Sequence, residues 1–127
     1  MISKEQILKI QNRLSELNRF LSIETKENDI SSLEKISHDN KFWDHPKEAE
    51  KTLKKISKIK IWVNAYNTIK NLLEELIILD EFLKEGECTE EEIESQHEKC
   101  IKSLEDLEFK NMLSAEEDNM SAVMTIN

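Results

Sequence analysis

The chain has 127 residues, 38% hydrophobic and 35% charged, with a net charge of −9, which fits one soluble domain without whole-molecule attraction to nucleic acid. It holds one glycine, Gly86, and one proline, Pro46, where average usage gives roughly nine and six. That scarcity excludes turn-rich sandwiches, barrels and doubly wound sheets, and glycine-rich phosphate loops cannot be written.

The first helix opens at Ser3, which with Gln6 spells a capping box, and Ile2 with Ile7 sits at staple spacing. Ile7, Ile10, Leu14, Leu17 and Leu21 then recur at heptad-like steps. The stripe turns polar from Ser22 to Asp29, so a break is expected there. A shorter helix follows from about Asp29 to Ser37, carrying Ile30, Leu33 and Ile36.

His38 to His45 reads as a loop with two large aromatics, Phe42 and Trp43, which are expected to pack it against the next helix. Asp44 is a candidate N-cap, and Pro46 fits the first turn, where its missing N–H leaves nothing unsatisfied. About forty residues without glycine or proline then lead to Gly86, well placed just past a helix C-terminus. Such a helix is about 60 Å long, beyond the diameter of a small domain, and must be half of an elongated hairpin. Its stripe runs through Ala49, Leu53, Ile56, Ile59, Val63, Tyr66, Leu73, Leu76 and Leu83.

The other half starts at Thr89, which with Glu92 makes a second capping box, and continues through Ile93, Cys100, Leu104 and Leu107 to about Leu113. Leu73, Leu76, Ile93, Cys100 and Leu104 are expected in the shared seam. From Ser121 to Asn127 the period becomes two, with Ala122, Met124 and Ile126 on one face, which reads as a β-strand without a partner. The expectation is an all-α, elongated antiparallel hairpin or coiled-coil-like bundle of about four helices, with an orphan C-terminal strand. Residues 1–119 form the helical domain, and 120–127 read as the first strand of a following one.

Cys88, His97 and Cys100 are three possible metal ligands, but a structural zinc site takes four, and this spacing is not a standard one. Cys100 falls in the apolar stripe, where a small buried thiol is the simpler reading. Glu94 and His97 match one Glu-x-x-His unit of di-iron bundles, which need two such units and two further glutamates. His38 and His45 have no nucleophile beside them to suggest a triad. No metal, cofactor, small-molecule substrate or catalytic residue is therefore expected. The longest apolar run, Leu76-Ile77-Ile78-Leu79, is far short of the ~20 residues that cross a bilayer. Two cysteines and no signal-peptide-like start suit a reducing cytoplasm.

Charge is unevenly placed. Residues 47–60 hold six lysines and two glutamates, whereas 74–98 hold eleven acidic residues and one lysine. At 100° per residue Lys47, Lys51, Lys54 and Lys58 share a narrow stripe opposite Ala49, Leu53 and Ile56. Such a row is either a solvated outer face or a contact for a phosphate backbone. No aromatic is interleaved in it, so base stacking is not implied. The acidic hairpin suggests a second reading, a helical adaptor that binds a protein partner; a metal-binding bundle is a third.

Phe42-Trp43-Asp44-His45-Pro46-Lys47-Glu48-Ala49 resembles the Trp-Asp/Asn-x-Pro-x-x-Ala signature of bacterial class I peptide chain release factors of the release factor 2 branch. Leu107-Glu108-Phe109-Lys110-Asn111-Met112-Leu113-Ser114, with Asp118 and then Ala122 to Asn127, is similar to that family's passage out of its first helical domain. The two blocks occur in the family's order and spacing, and the similarity runs from about Ile7 to Asn127. The resemblance implies a role in translation termination at UGA or UAA codons. It implies the ribosome as partner, near the stalk base, and the release-factor GTPase as a further one. The family's codon-reading Ser-Pro-Phe and hydrolytic Gly-Gly-Gln motifs are absent, so no release activity is expected from these residues alone. Within this frame Lys47, Lys51, Lys54 and Lys58 are the candidate contact with ribosomal RNA.

Overall fold

A computed structural model describes the backbone of residues 3–126 and the side chains of residues 3–114. Among the described residues there are four helices, α1 (Lys4–Leu21), α2 (Ile23–Ser37), α3 (Pro46–Lys84) and α4 (Glu90–Ile126), with a 3₁₀ turn at Phe42–Asp44. The all-α expectation holds. With 39 residues, α3 is about 58 Å long, and α1, α2, α4 and the 3₁₀ turn all pack on it.

Two contacts set the direction of packing. Gln96 of α4 donates to the Leu72 carbonyl and to Glu75 of α3, both at 3.0 Å. Lys110 lies over the Trp62 ring at 5.6 Å. The two helices are therefore the antiparallel hairpin expected from their caps. Asn18 of α1 donates to the Tyr66 hydroxyl at 3.0 Å, and Arg13 reaches across to Glu108 with two hydrogen bonds, one of 3.1 Å from Nε. Together α1, α4 and the C-terminal half of α3 enclose one core that includes Ile10, Leu17, Ile69, Leu76, Ile93, Cys100 and Leu104. All five expected seam residues are buried.

Helix ends follow local chemistry. The Ser3–Gln6 box closes from both sides, at 2.8 and 3.3 Å, while Ile2 lies outside the described residues. At the other cap the Glu92 N–H donates to Thr89 Oγ1 at 3.3 Å. After α3, Gly86 sits at φ +77. Its N–H donates to the Leu83 carbonyl at 3.1 Å, and that of Glu87 to the Phe82 carbonyl at 2.8 Å. That pair of bonds is the Schellman arrangement, and it turns the chain into the hairpin.

Five expectations need correction. The break between α1 and α2 is a single residue, Ser22, at φ 51 and ψ 53, so α2 begins at Ile23 rather than near Asp29. A straight continuation of the Leu14–Leu17–Leu21 stripe would bury Glu24 or Thr25. One left-handed residue rephases the helix so that Ile23 is buried instead. The carbonyl of Leu21, left open by the break, accepts from the Lys26 ammonium. Second, the residue capping α3 is His45, since Pro46 occupies the first helical turn, and Asp44 donates its N–H to Lys41 within the 3₁₀ turn.

Third, Leu53 is 41% exposed. Along the first half of α3 the buried residues Ala49, Ile56 and Val63 recur every seven. Half-buried Thr52 takes the intervening inward position and leaves Leu53 on the flank. Fourth, Trp43 does not pack the loop on α3: the residue is 63% exposed. Half-buried Phe42 fills that role, in a small cleft with Ile36, Ala49 and Thr52. Fifth, α4 continues as helix through 121–126, where a strand was expected; Asn127 lies outside the described residues. A lone strand leaves its N–H and C=O groups unpaired, whereas a helix satisfies them within the segment.

Candidate nucleic-acid interface

The lysine row lies on the first half of α3, where the described packing comes from α2 and the 3₁₀ turn. Ala49 and Ile56 are buried against these neighbours, and Lys47, Lys51, Lys54 and Lys58 are all exposed on the far side. The row spans eleven residues of rise, about 16 Å. Burial of the apolar face against α2 is what aims it outward. Lys54 pairs with Glu50 one turn earlier at 3.1 Å, an exposed pair that solvent screens. Lys60, outside the row, is tied to Glu34 of α2 at 2.9 Å and helps hold the two helices together. Among the described residues, Lys47, Lys51 and Lys58 make no ion pair.

Opposite charge gathers at the other end of the rod, where α3 turns into α4. Glu90, Glu91 and Glu92 occupy the first turn of α4, and the positive end of the helix dipole stabilises them there. The molecule is therefore polarised along its length, basic at the start of α3 and acidic at the hairpin.

The candidate metal ligands Cys88, His97 and Cys100 do not form one group among the described residues. Cys100 is buried in the α3–α4 seam, and burial pushes its thiol above the ordinary range. Cys88 donates to the Leu79 carbonyl at 3.2 Å; desolvation first, then Glu92 and Asp80, raise its pKa. His97 lines a shallow groove with Gln6, Lys9, Ile10, Arg13 and Ile101. Among the described residues no three His, Cys, Asp or Glu side chains form a group that could hold a metal. Nor, among them, is any helix long and apolar enough to cross a membrane.

Sequence reasoning missed the exposed Trp43. Its signal was faint: two adjacent aromatics stand in a short loop, and spacing alone does not say which of them turns toward Ala49.

The fold and its faces define an all-α module with a basic and an acidic helix surface at opposite ends. The family model of the PCRF domain matches residues 26–127, and the chain belongs to that family. It is similar to peptide chain release factor 2 of Staphylococcus saprophyticus, at 26% identity over 98% of this chain and 34% of that one. It is also similar to the release factor 2 of Chlamydia muridarum, at 32% over 90% of this chain and 32% of the relative. For the factor of Streptomyces avermitilis the values are 25%, 96% and 34%. The chain thus spans about a third of the length of these relatives. No solved structure matches it significantly.

Proposed function

We propose that the chain acts in translation termination, as the helical module of a release factor of the release factor 2 kind, at UGA and UAA codons on cytoplasmic ribosomes. The observation that carries this reading is the family match, which covers both sequence blocks at Phe42–Ala49 and Leu107–Ser114. The module itself performs no hydrolysis. Its work is docking, near the stalk base and in reach of the release-factor GTPase.

The row Lys47, Lys51, Lys54 and Lys58 is the part of the docking surface that meets ribosomal RNA. A chain at −9 is repelled by RNA at long range, so contact depends on a short-range, oriented row, and α3 supplies one. Its salt dependence sets the expected size. Four phosphate contacts give a slope of about −3 to −4 in log affinity against log salt.

Sedimentation of the chain with ribosomes across a salt series tests this. The chain is expected to pellet with ribosomes, and changing the four lysines together to glutamine should weaken binding and flatten the slope by up to that amount. Absence of binding overturns the ribosomal reading. Unchanged affinity and slope in the variant overturn the lysine row and move the docking surface to the acidic hairpin at 74–98.

A further inference from the structure

At the acidic end of the rod, α3 turns two large apolar side chains to solvent. Ile78 and Phe82, one turn apart, are 48% and 41% exposed. Ile78 stands about 200° around the helix from Leu76, which is fully buried in the core, so the pair faces away from that core. Beside it a groove runs between α1 and α3, lined by buried Ile7, half-buried Ile77, Leu8 and Glu81. Leu8, on the α1 side, is 54% exposed, and Glu81, on the α3 side, is one turn from Ile78. A single exposed apolar residue needs no explanation, but three grouped about one groove mark a contact surface.

The charge around it has one sign. Every charged residue one turn before or after Ile78 and Phe82 on α3 is a carboxylate: Glu74, Glu75, Glu81 and Glu85. Glu75 accepts from Gln96 at 3.0 Å. The other three are exposed, and among the described residues they make no ion pair. Three lysines lie nearby. Lys84 is tied to Asp80 at 3.5 Å, Lys4 lines the groove, and Lys70 lines the next one beside Glu74. Lys4 and Lys70 do not balance the four glutamates, and Glu5, one turn before Leu8, adds a further negative charge. We infer that this face docks a basic amphipathic segment of a protein partner, whose apolar side chains cover Ile78, Phe82 and Leu8 while lysine or arginine heads meet Glu74, Glu81 and Glu85. Charge complementarity selects that occupant. RNA phosphates and anionic lipid are repelled here, and a purely apolar partner would desolvate three carboxylates without pairing them. The inference stands apart from the RNA contact proposed for the lysine row, which ends at Lys58, about 24 Å along α3 from Glu74.

The 127-residue chain can be titrated with a fluorescent leucine–lysine amphipathic peptide and with a leucine–glutamate peptide of equal length. Only the lysine peptide is expected to bind. Phe82→Ala should weaken it about ten- to thirtyfold, the loss expected for an interface anchor, and should leave thermal unfolding unchanged because the side chain is exposed. Changing Glu74, Glu81 and Glu85 together to glutamine should weaken binding and flatten its salt dependence. Glu90, Glu91 and Glu92 changed together remove the same charge from the first turn of α4 and should matter less. Phe109→Ala, at another exposed aromatic, should have no effect. Failure of the lysine peptide to bind overturns the inference, and so does normal binding by Phe82→Ala. Equal losses from the two triple variants would reduce the binding to net charge and overturn the face. A dimer that Phe82→Ala dissolves would give the face to a second copy, and loss of duplex RNA affinity in that variant would give it to RNA; either excludes the basic protein segment. The row and this face fail separately, because changing Lys47, Lys51, Lys54 and Lys58 to glutamine should leave peptide binding undiminished.

Discussion

One helix, α3, passes through two different environments. Along its C-terminal half it is flanked by both α1 and α4, and Ile69 and Leu76 lose essentially all contact with solvent. Along its N-terminal half the described packing comes from α2 and the 3₁₀ turn, and only Ala49, Ile56 and Val63 are buried. Leu53, Ile61 and, on α2, Ile36 remain exposed there. Two helices bury a seam between them, whereas three enclose a core, because each helix then covers a flank that the others leave open. The stable end is thereby separated from the end that carries the lysine row and Trp43, so the candidate interface can change in sequence without unseating the core.

The sharpest way to break that comparison is to remove equal side chains from its two halves. Leu76→Ala should cost ~2–5 kcal/mol of unfolding free energy in urea, since a fully buried leucine leaves a cavity. Leu53→Ala should stay within about 0.5 kcal/mol, as a surface change does. Equal losses would mean that the arm is covered in solution, for instance by self-association. Ser22 at the joint comes next. Ser22→Val forces a β-branched residue into the left-handed region and should lose about 1–2 kcal/mol, while Ser22→Gly should match or slightly exceed the wild type. A harmless valine would show that the break relaxes and that the arm is not rigidly phased to the bundle.

A smaller effect is expected at Gly86. A Cβ there meets no atom within 4 Å, so Gly86→Ala should cost only the backbone strain of φ +77, about 1 kcal/mol in thermal unfolding. The smallest effect concerns pH. Burial raises the Cys100 thiol in the folded chain, so the unfolded chain loses that proton first as pH rises. Stability should be unaffected below the unfolded thiol value of about 8.5 and should decline above it. Cys100→Ala should abolish that part of the alkaline slope; an identical slope in the variant would assign it to other groups.

Much of the fold was legible because it depends on near neighbours in the chain. The scarcity of glycine and proline excludes sheets. Ser3, Gln6, Gly86 and Thr89 mark helix ends through hydrogen bonds that close within a few residues, and Pro46 marks one because it has no N–H to leave open. The Ile7–Leu21 stripe and the α3–α4 seam follow from a period that the helix imposes. The lysine row was legible for the same reason, since angle along a helix is a property of spacing alone.

Tertiary structure decided the rest. Which residue absorbs the break between α1 and α2 depends on where the next apolar side chain must land on α3, and that selects Ser22 and buries Ile23. Which of Leu53 and Thr52 turns inward depends on the position of α2, not on hydrophobicity. Phe42 and Trp43 are equivalent candidates for a core in the sequence. In the fold Phe42 is half-buried beside Ala49 and Thr52 of α3, while Trp43 is left exposed. The helical course of 121–126 has the same origin, because alternation of apolar residues specifies a strand only when another strand lies within hydrogen-bonding reach. Local hydrogen bonds and helical period are carried by the sequence itself, while the choice among competing apolar residues is made by the surface they meet.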